Sequence, residues 1–148
     1  MSGASESFLL EFPPAAHYVS TARIFAAGVA RTFGADEDLV EDLKVAISEA
    51  CTSAIRARQD NAVDDPVRLS ARRDVDLLSF EAENTGITPS GEGAELVMRS
   101  TGSTSEDIAR RLSLETIRAL FPSTEIVPNH QGGGNLRFSL VVPPATPS

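Results

Sequence analysis

Residues 42–58 read DLKVAISEACTSAIRAR. Counting from just before it, apolar or small side chains recur at Leu39, Leu43, Ala46, Ile47, Ala50 and Ala54, a spacing of three and four that lays one stripe along an α-helix. Asp36, Glu37 and Asp38 precede the stripe, where the positive end of the helix dipole favours carboxylates, and Arg56 and Arg58 close it, where cations are favoured. A helix from about residue 36 to 58 is expected. Glu49 and Ser53 stand four apart on it, on a face expected to lie opposite much of the stripe. A carboxylate held there can act as a general base; a lone glutamate on a polar helix face is more often only a solvated side chain.

Upstream, residues 7–12 form a short apolar run closed by Pro13-Pro14, a first strand. Residues 16–33 place Val19, Ala22, Ile24, Phe25, Val29 and Phe33 at helical spacing, with Gly34 as the stop. Downstream of a polar loop, residues 67–72 and 77–81 read as a hairpin turning around Arg73-Asp74. Residues 84–104 are rich in Gly, Ser, Thr and Pro, with at most one helical turn within 94–99; a loop this long in a compact domain is usually functional or mobile. Ser103-x-x-Glu106 is a capping box opening a third helix over 106–120, with Ile108, Leu112, Ile117 and Leu120 expected inside and Pro122 ending it. Residues 123–127 and 135–142 close the chain as an antiparallel pair. The order β-α-α-β-β-loop-α-β-β predicts an α/β (α+β) two-layer sandwich, helices on one face of a mixed, mostly antiparallel sheet. One domain is expected over 1–148, with flexible tails at 1–6 and 143–148.

Composition bounds the rest. Hydrophobic residues make up 41% and charged residues 23% of 148, ordinary for a folded domain. No apolar run approaches the roughly 20 residues of a membrane span. The start, MSGASES, lacks the pattern of a secretory signal, so a cytoplasmic location is expected. With one cysteine, Cys51, and two histidines, His17 and His130, neither an internal disulfide nor a zinc cluster is expected, and Cys51 reads as a small buried hydrophobe. Net charge is −8, from 13 Lys+Arg against 21 Asp+Glu. Such acidity repels nucleic-acid phosphates and anionic lipid and suits a protein partner with basic patches, although it also serves solubility alone.

The chain then shows a resemblance. Glu11-Phe12, Ala22-Arg23-Ile24, the run from Asp42 to Ile55 with Glu49 at its centre, the turn after Glu83, Ile117 to Phe121 and the Gly-rich turn into the last strand together resemble the anti-sigma-factor serine kinases of the RsbW type, in the superfamily of histidine kinases, Hsp90 and gyrase-type ATPases. The likeness runs from Glu11 to Val142. It implies a Bergerat-type ATPase fold with Mg-ATP between helices under a lid, Glu49 as general base, and partners comprising a sigma factor and an anti-anti-sigma (STAS-domain) protein. It further implies a homodimer, and Arg23 on the partner-binding face; by itself Arg23 is equally a solvated helix arginine.

The nucleotide motifs that the resemblance implies are substituted here. Ser53 stands where the family carries the magnesium-holding asparagine, and a serine oxygen on a shorter arm loses direct contact at about 2.1 Å. Ala82 stands at the adenine-binding aspartate and Asn84 at the first glycine of that motif, with Gly86 alone kept; sliding the register by one puts Glu83 in the acidic role. Arg111 and Ser113 replace the two glycines that cradle phosphate at the last helix, and Arg110 or Arg111 would be the compensating charge. Gly132-Gly133-Gly134 leads into a strand and reads as a turn. Three readings result. The first is an anti-sigma-like regulator acting by protein association, with lost or weak ATP binding. The alternatives are an active ATP-dependent serine kinase and a dimerisation partner of an active paralogue.

Overall fold

The computed structural model describes residues 5–87, 105–129 and 134–144, with the backbone alone at Glu106 and Asp107. Strand β1 (Glu6–Phe12) leads through a single 3-10 turn (Ala16–Tyr18) into α1 (Val19–Thr32), followed by α2 (Glu37–Asp60), β2 (Val67–Asp74) and β3 (Leu77–Ala82). Then come α3 (Ser105–Leu120), β4 (Glu125–Pro128) and β5 (Gly134–Val141). The helical turn expected within 94–99 and the Ser103 cap lie outside the described residues, as do His130, Gly132 and Gly133.

The strands form one sheet in the order β1-β2-β3-β5-β4, and each of its four pairings is antiparallel, so the mixed sheet expected from the sequence is corrected on this point. Period-two alternation splits its faces. Leu69, Ala71, Leu78, Phe80, Leu136 and Phe138 are buried toward the helices, while Arg68, Ser79 and Arg137 point away. On the open face the register sets Ser79 opposite Ser139, their hydroxyls 2.9 Å apart, and Arg137 between Glu81 and Glu125. The helix layer caps the other face. Phe121, just beyond α3, stacks on Phe138 at 5.0 Å, and Phe138 stacks in turn on Phe80 at 6.1 Å, pinning the helix end to the sheet centre.

Local chemistry explains the element ends. Asp36 Oδ1 accepts from the Leu39 amide at 2.9 Å as the N-cap of α2, and Gly34, at φ +85°, makes the left-handed turn between α1 and α2. Helix α2 runs to Asp60, two residues beyond its expected end. The hairpin turns at Val75-Asp76 instead of Arg73-Asp74, with Val75 held at φ +59°. Its carbonyl accepts from the Arg73 guanidinium at 3.1 Å, and that guanidinium lies 4.7 Å over the Phe33 ring. A β-branched residue at positive φ makes this a turn that propensity opposes.

Two expectations about helix faces and one about the tails are corrected. Ile24 is 73% exposed, because the buried side of α1 runs through Ala22, Ala26, Ala27 and Ala30. Ile108 and Leu112 are exposed; nine residues at about 100° each put Ile108 half a turn from Ile117, and the buried side of α3 is Ser113, Leu114 and Ile117. Glu6 and Pro143 are not tail. Glu6 pairs with Arg73 in the sheet, and the Pro143 carbonyl accepts from Arg73.

Candidate functional site

Helix α2 lies between α1 and α3, joined to both by side-chain hydrogen bonds. Arg23 on α1 donates to Ser48 Oγ at 3.1 Å, and Ser48 donates back to the Lys44 carbonyl at 2.8 Å. On the other flank Ser113 Oγ donates to Glu49 Oε1 at 2.7 Å, the short length of a charge-assisted bond. Glu49 is half-buried and Ser113 only 4% exposed.

Ser53 is 1% exposed, which corrects its expected place on the polar face. Seven residues at about 100° each bring it within about 20° of Ala46, in the middle of the buried stripe. Glu49 sits at that stripe's edge. The pair therefore shares a flank of α2 with one member inside and one at the rim.

At the end of β3, Ala82 is buried facing the helices, between Leu69 and Leu136 in the register. Glu83 points the opposite way, its carboxylate 3.8 Å from Arg68, so the strand's alternation keeps this acid away from the helix side. Asn84 adopts φ +54° and Gly86 φ +77°. The left-handed shape that glycines permit is thus kept at position 84 by an asparagine, a residue type that tolerates it. Polar partners on two sides hold Asn84: its amide donates to Asn135 Oδ1 at 3.1 Å, and its side-chain oxygen accepts from Asn129.

Helix α3 contributes Arg110 and Arg111. Arg111 pairs along the helix surface with Glu115 at 3.3 Å. Arg110 reaches Asp60 on α2 at 2.5 Å and passes over Gly86, where an added Cβ would come within 3.0 Å of its Nε. The structure therefore brings Glu49, Ser113, Gly86 and Arg110 to the α2–α3 seam and the β3 end beside it. Arg111 stands on the outer surface, and Arg23 stands on the far flank of α2.

Arg58 carries weight that no sequence motif signalled. It is 5% exposed, and its guanidinium donates to the carbonyls of Ala54, Asp65, Pro66 and Asn84 at 2.9–3.1 Å, with Glu83 at 3.4 Å. Burial lowers its pKa, opposed by the nearby Asp65 and Glu83 carboxylates. It ties the end of α2 to both neighbouring loops. A cation in a helix's last turn is ordinarily a dipole partner, and only its place on the buried stripe hinted at more. Burial pushes the Cys51 thiol up to about 12, so it is an inert core side chain. Among the described residues no His, Cys, Asp and Glu group has the arrangement of a metal site, and no helix is long and apolar enough to cross a membrane.

Comparison with known proteins places this geometry. A stretch of 51 residues is 43% identical to the serine-protein kinase RsbW of Bacillus thuringiensis, and the same figures hold for the proteins so named in Bacillus cereus and Bacillus anthracis. That stretch takes in 34% of this chain and 32% of each relative, so the likeness covers about a third of either protein. Residues 12–139, from the end of β1 into β5, match the histidine kinase-like ATPase domain. With its sheet, its helix layer and this match, the chain belongs to the histidine kinase-like ATPase domain family.

Proposed function

We propose that the chain is an anti-sigma-like regulator, similar to the RsbW proteins, that acts by stoichiometric association with a sigma factor, an anti-anti-sigma protein or both, and turns over little or no ATP. The observation that carries the loss of turnover is the Ser113 hydroxyl on Glu49. The carboxylate that the resemblance assigns to base catalysis is engaged by a side chain standing at a phosphate-glycine position. Ser53 supports the same reading, since a side chain 1% exposed inside the stripe offers no oxygen to a metal beside Glu49. The acidity of the chain favours a basic partner surface.

The test is melting with and without Mg-ATP, then calorimetric titration with candidate sigma and anti-anti-sigma proteins. ATP at about 100 times its dissociation constant would stabilise by about 2.7 kcal/mol, and the reading expects no such shift. Micromolar or tighter binding of a candidate protein without nucleotide is the expected positive result. The kinase reading keeps one observation in its favour, the left-handed backbone retained at Asn84 and Gly86. Phosphate transfer to an anti-anti-sigma serine, abolished by Glu49→Gln, would establish it and overturn ours. The homodimer implied by the resemblance is read by sedimentation of the chain alone.

A further inference from the structure

Two side chains of α3 cross its seam with α2, and both stand at or beside positions the resemblance gives to nucleotide. Ser113 meets Glu49 at 2.7 Å, and Arg110 meets Asp60 at 2.5 Å after passing over Gly86. We propose that these are two pins which occupy the α2–α3 seam in place of a ligand and lock the helices together, and that Glu49 serves as the acceptor of one pin. The inference rests on the reading that the chain does not hold nucleotide, and it deepens that reading by giving Glu49 a positioning role.

The geometry fits a lock. Glu49 and Asp60 lie eleven residues apart, about 16 Å along α2, whereas their partners lie three residues apart, about 4.5 Å along α3. Two anchors so unequally spaced fix the crossing of the helices as well as their separation. Ser113 is buried, so its hydroxyl requires an acceptor, and Glu49 supplies one within the seam. A glycine at 113 would carry no donor. Gly86 gains a second use: with a side chain there, Arg110 Nε at 3.0 Å and Ala57 Cβ at 3.1 Å would have to give way. The same arrangement explains why a glutamate remains at 49 beside a serine at 53. A hydrogen-bond acceptor facing α3 is needed there, whereas an oxygen aimed at a metal is not.

The experiment is a double-mutant cycle on the full chain, with Glu49→Ala, Ser113→Ala and the pair, plus Glu49→Gln. Melting temperature and hydrogen exchange of residues 108–117 are the readouts. Each alanine variant is expected to lose about 3–6 °C, and the pair no more than the larger single loss. Glutamine at 49 still offers a carbonyl oxygen to Ser113, so Glu49→Gln is expected to keep most of the melting temperature and the exchange protection of α3. Additive losses, or a glutamine variant as damaged as the alanine one, would overturn the pins. A second cycle, Asp60→Ala with Arg110→Met at the partly exposed end, tests the other pin if the first set does not fold; additivity there overturns it too. A Mg-ATP shift in the unmodified chain would instead sink the proposed function, and is read separately from the coupling.

Discussion

Replacing Arg58 by methionine keeps the unbranched stem and removes a guanidinium that answers carbonyls from three segments. The Ala54 carbonyl stays in the α2 ladder, and the 3.4 Å bond to Glu83 is weak, so the loss falls on Asp65, Pro66 and Asn84, held at 3.0–3.1 Å. A carbonyl that loses its donor where water cannot replace it costs about 1–3 kcal/mol. Three such losses would come to about 6 kcal/mol at mid-range, from which water reaching the exposed Asp65 and Pro66 and relief of the charge's desolvation subtract roughly half. A net loss of about 3 kcal/mol lowers the melting temperature of a domain this size by about 6–12 °C. Arg58→Lys, with one compact ammonium in place of a fork, should lose about half as much. Thermal unfolding by circular dichroism measures both, and hydrogen exchange should report faster opening at residues 61–66 and 83–87. A methionine variant within about 2 °C of the unmodified chain would refute the reasoning, since the lost bonds would then be answered at no cost.

Other predictions concern single sites. Gly134→Ala would place a Cβ 2.1 Å from the Ile87 carbonyl oxygen and 2.7 Å from Ile126 Cγ2; a loss of about 3 kcal/mol or more is expected by urea unfolding, and a near-normal midpoint would show that the β5 entry can move. Cys51 should resist thiol reagents at pH 8 in the folded chain and react at once in denaturant. Because folding raises its pKa from 9.0 to about 12, its contribution to stability is complete below pH 9 and is lost as pH rises toward 12; rapid native labelling would contradict the burial. Arg23→Glu breaks the bond to Ser48, which costs about 1 kcal/mol or less of stability at this half-buried site, and should weaken partner affinity at least tenfold. Unchanged affinity in titration removes Arg23 from the interface.

What was legible in the sequence is what short-range periodicity encodes. The α2 stripe with its acidic start, the Gly34 stop and the β2–β3 hairpin each follow from residues within a few positions of one another. Ile108 and Ile117 misled because each is apolar but they share no helical face. The hairpin turn was placed two residues early because Val75, a β-branched residue, is not a type that readily takes the left-handed backbone it has here. In the candidate site, Glu49 stood out as a carboxylate on α2, but the weight given to it and the positions of Ala82 and Gly86 came only through the resemblance. The Ser113–Glu49 bond joins residues 64 apart, and the Arg58 bonds end on backbone carbonyls, which carry no side-chain identity to read.

The strand order has a consequence for how the chain acquires this fold. Strand β3 ends at Ala82, but its inner neighbour β5 begins only at Gly134, and β1 waits for β2 across two helices. During synthesis, β1, α1, α2, β2 and β3 are complete well before β5 exists. Over that interval the β3 edge, LLSFEA, carries unanswered backbone donors and acceptors next to a Phe80 that still lacks its Phe138 partner. Distant pairings of this kind slow folding toward the millisecond-to-second range and leave a nascent edge open to pairing with other chains. The centre of the finished sheet is thus the most aggregation-exposed element of the unfinished one, and β5 acts as its built-in late-arriving cover.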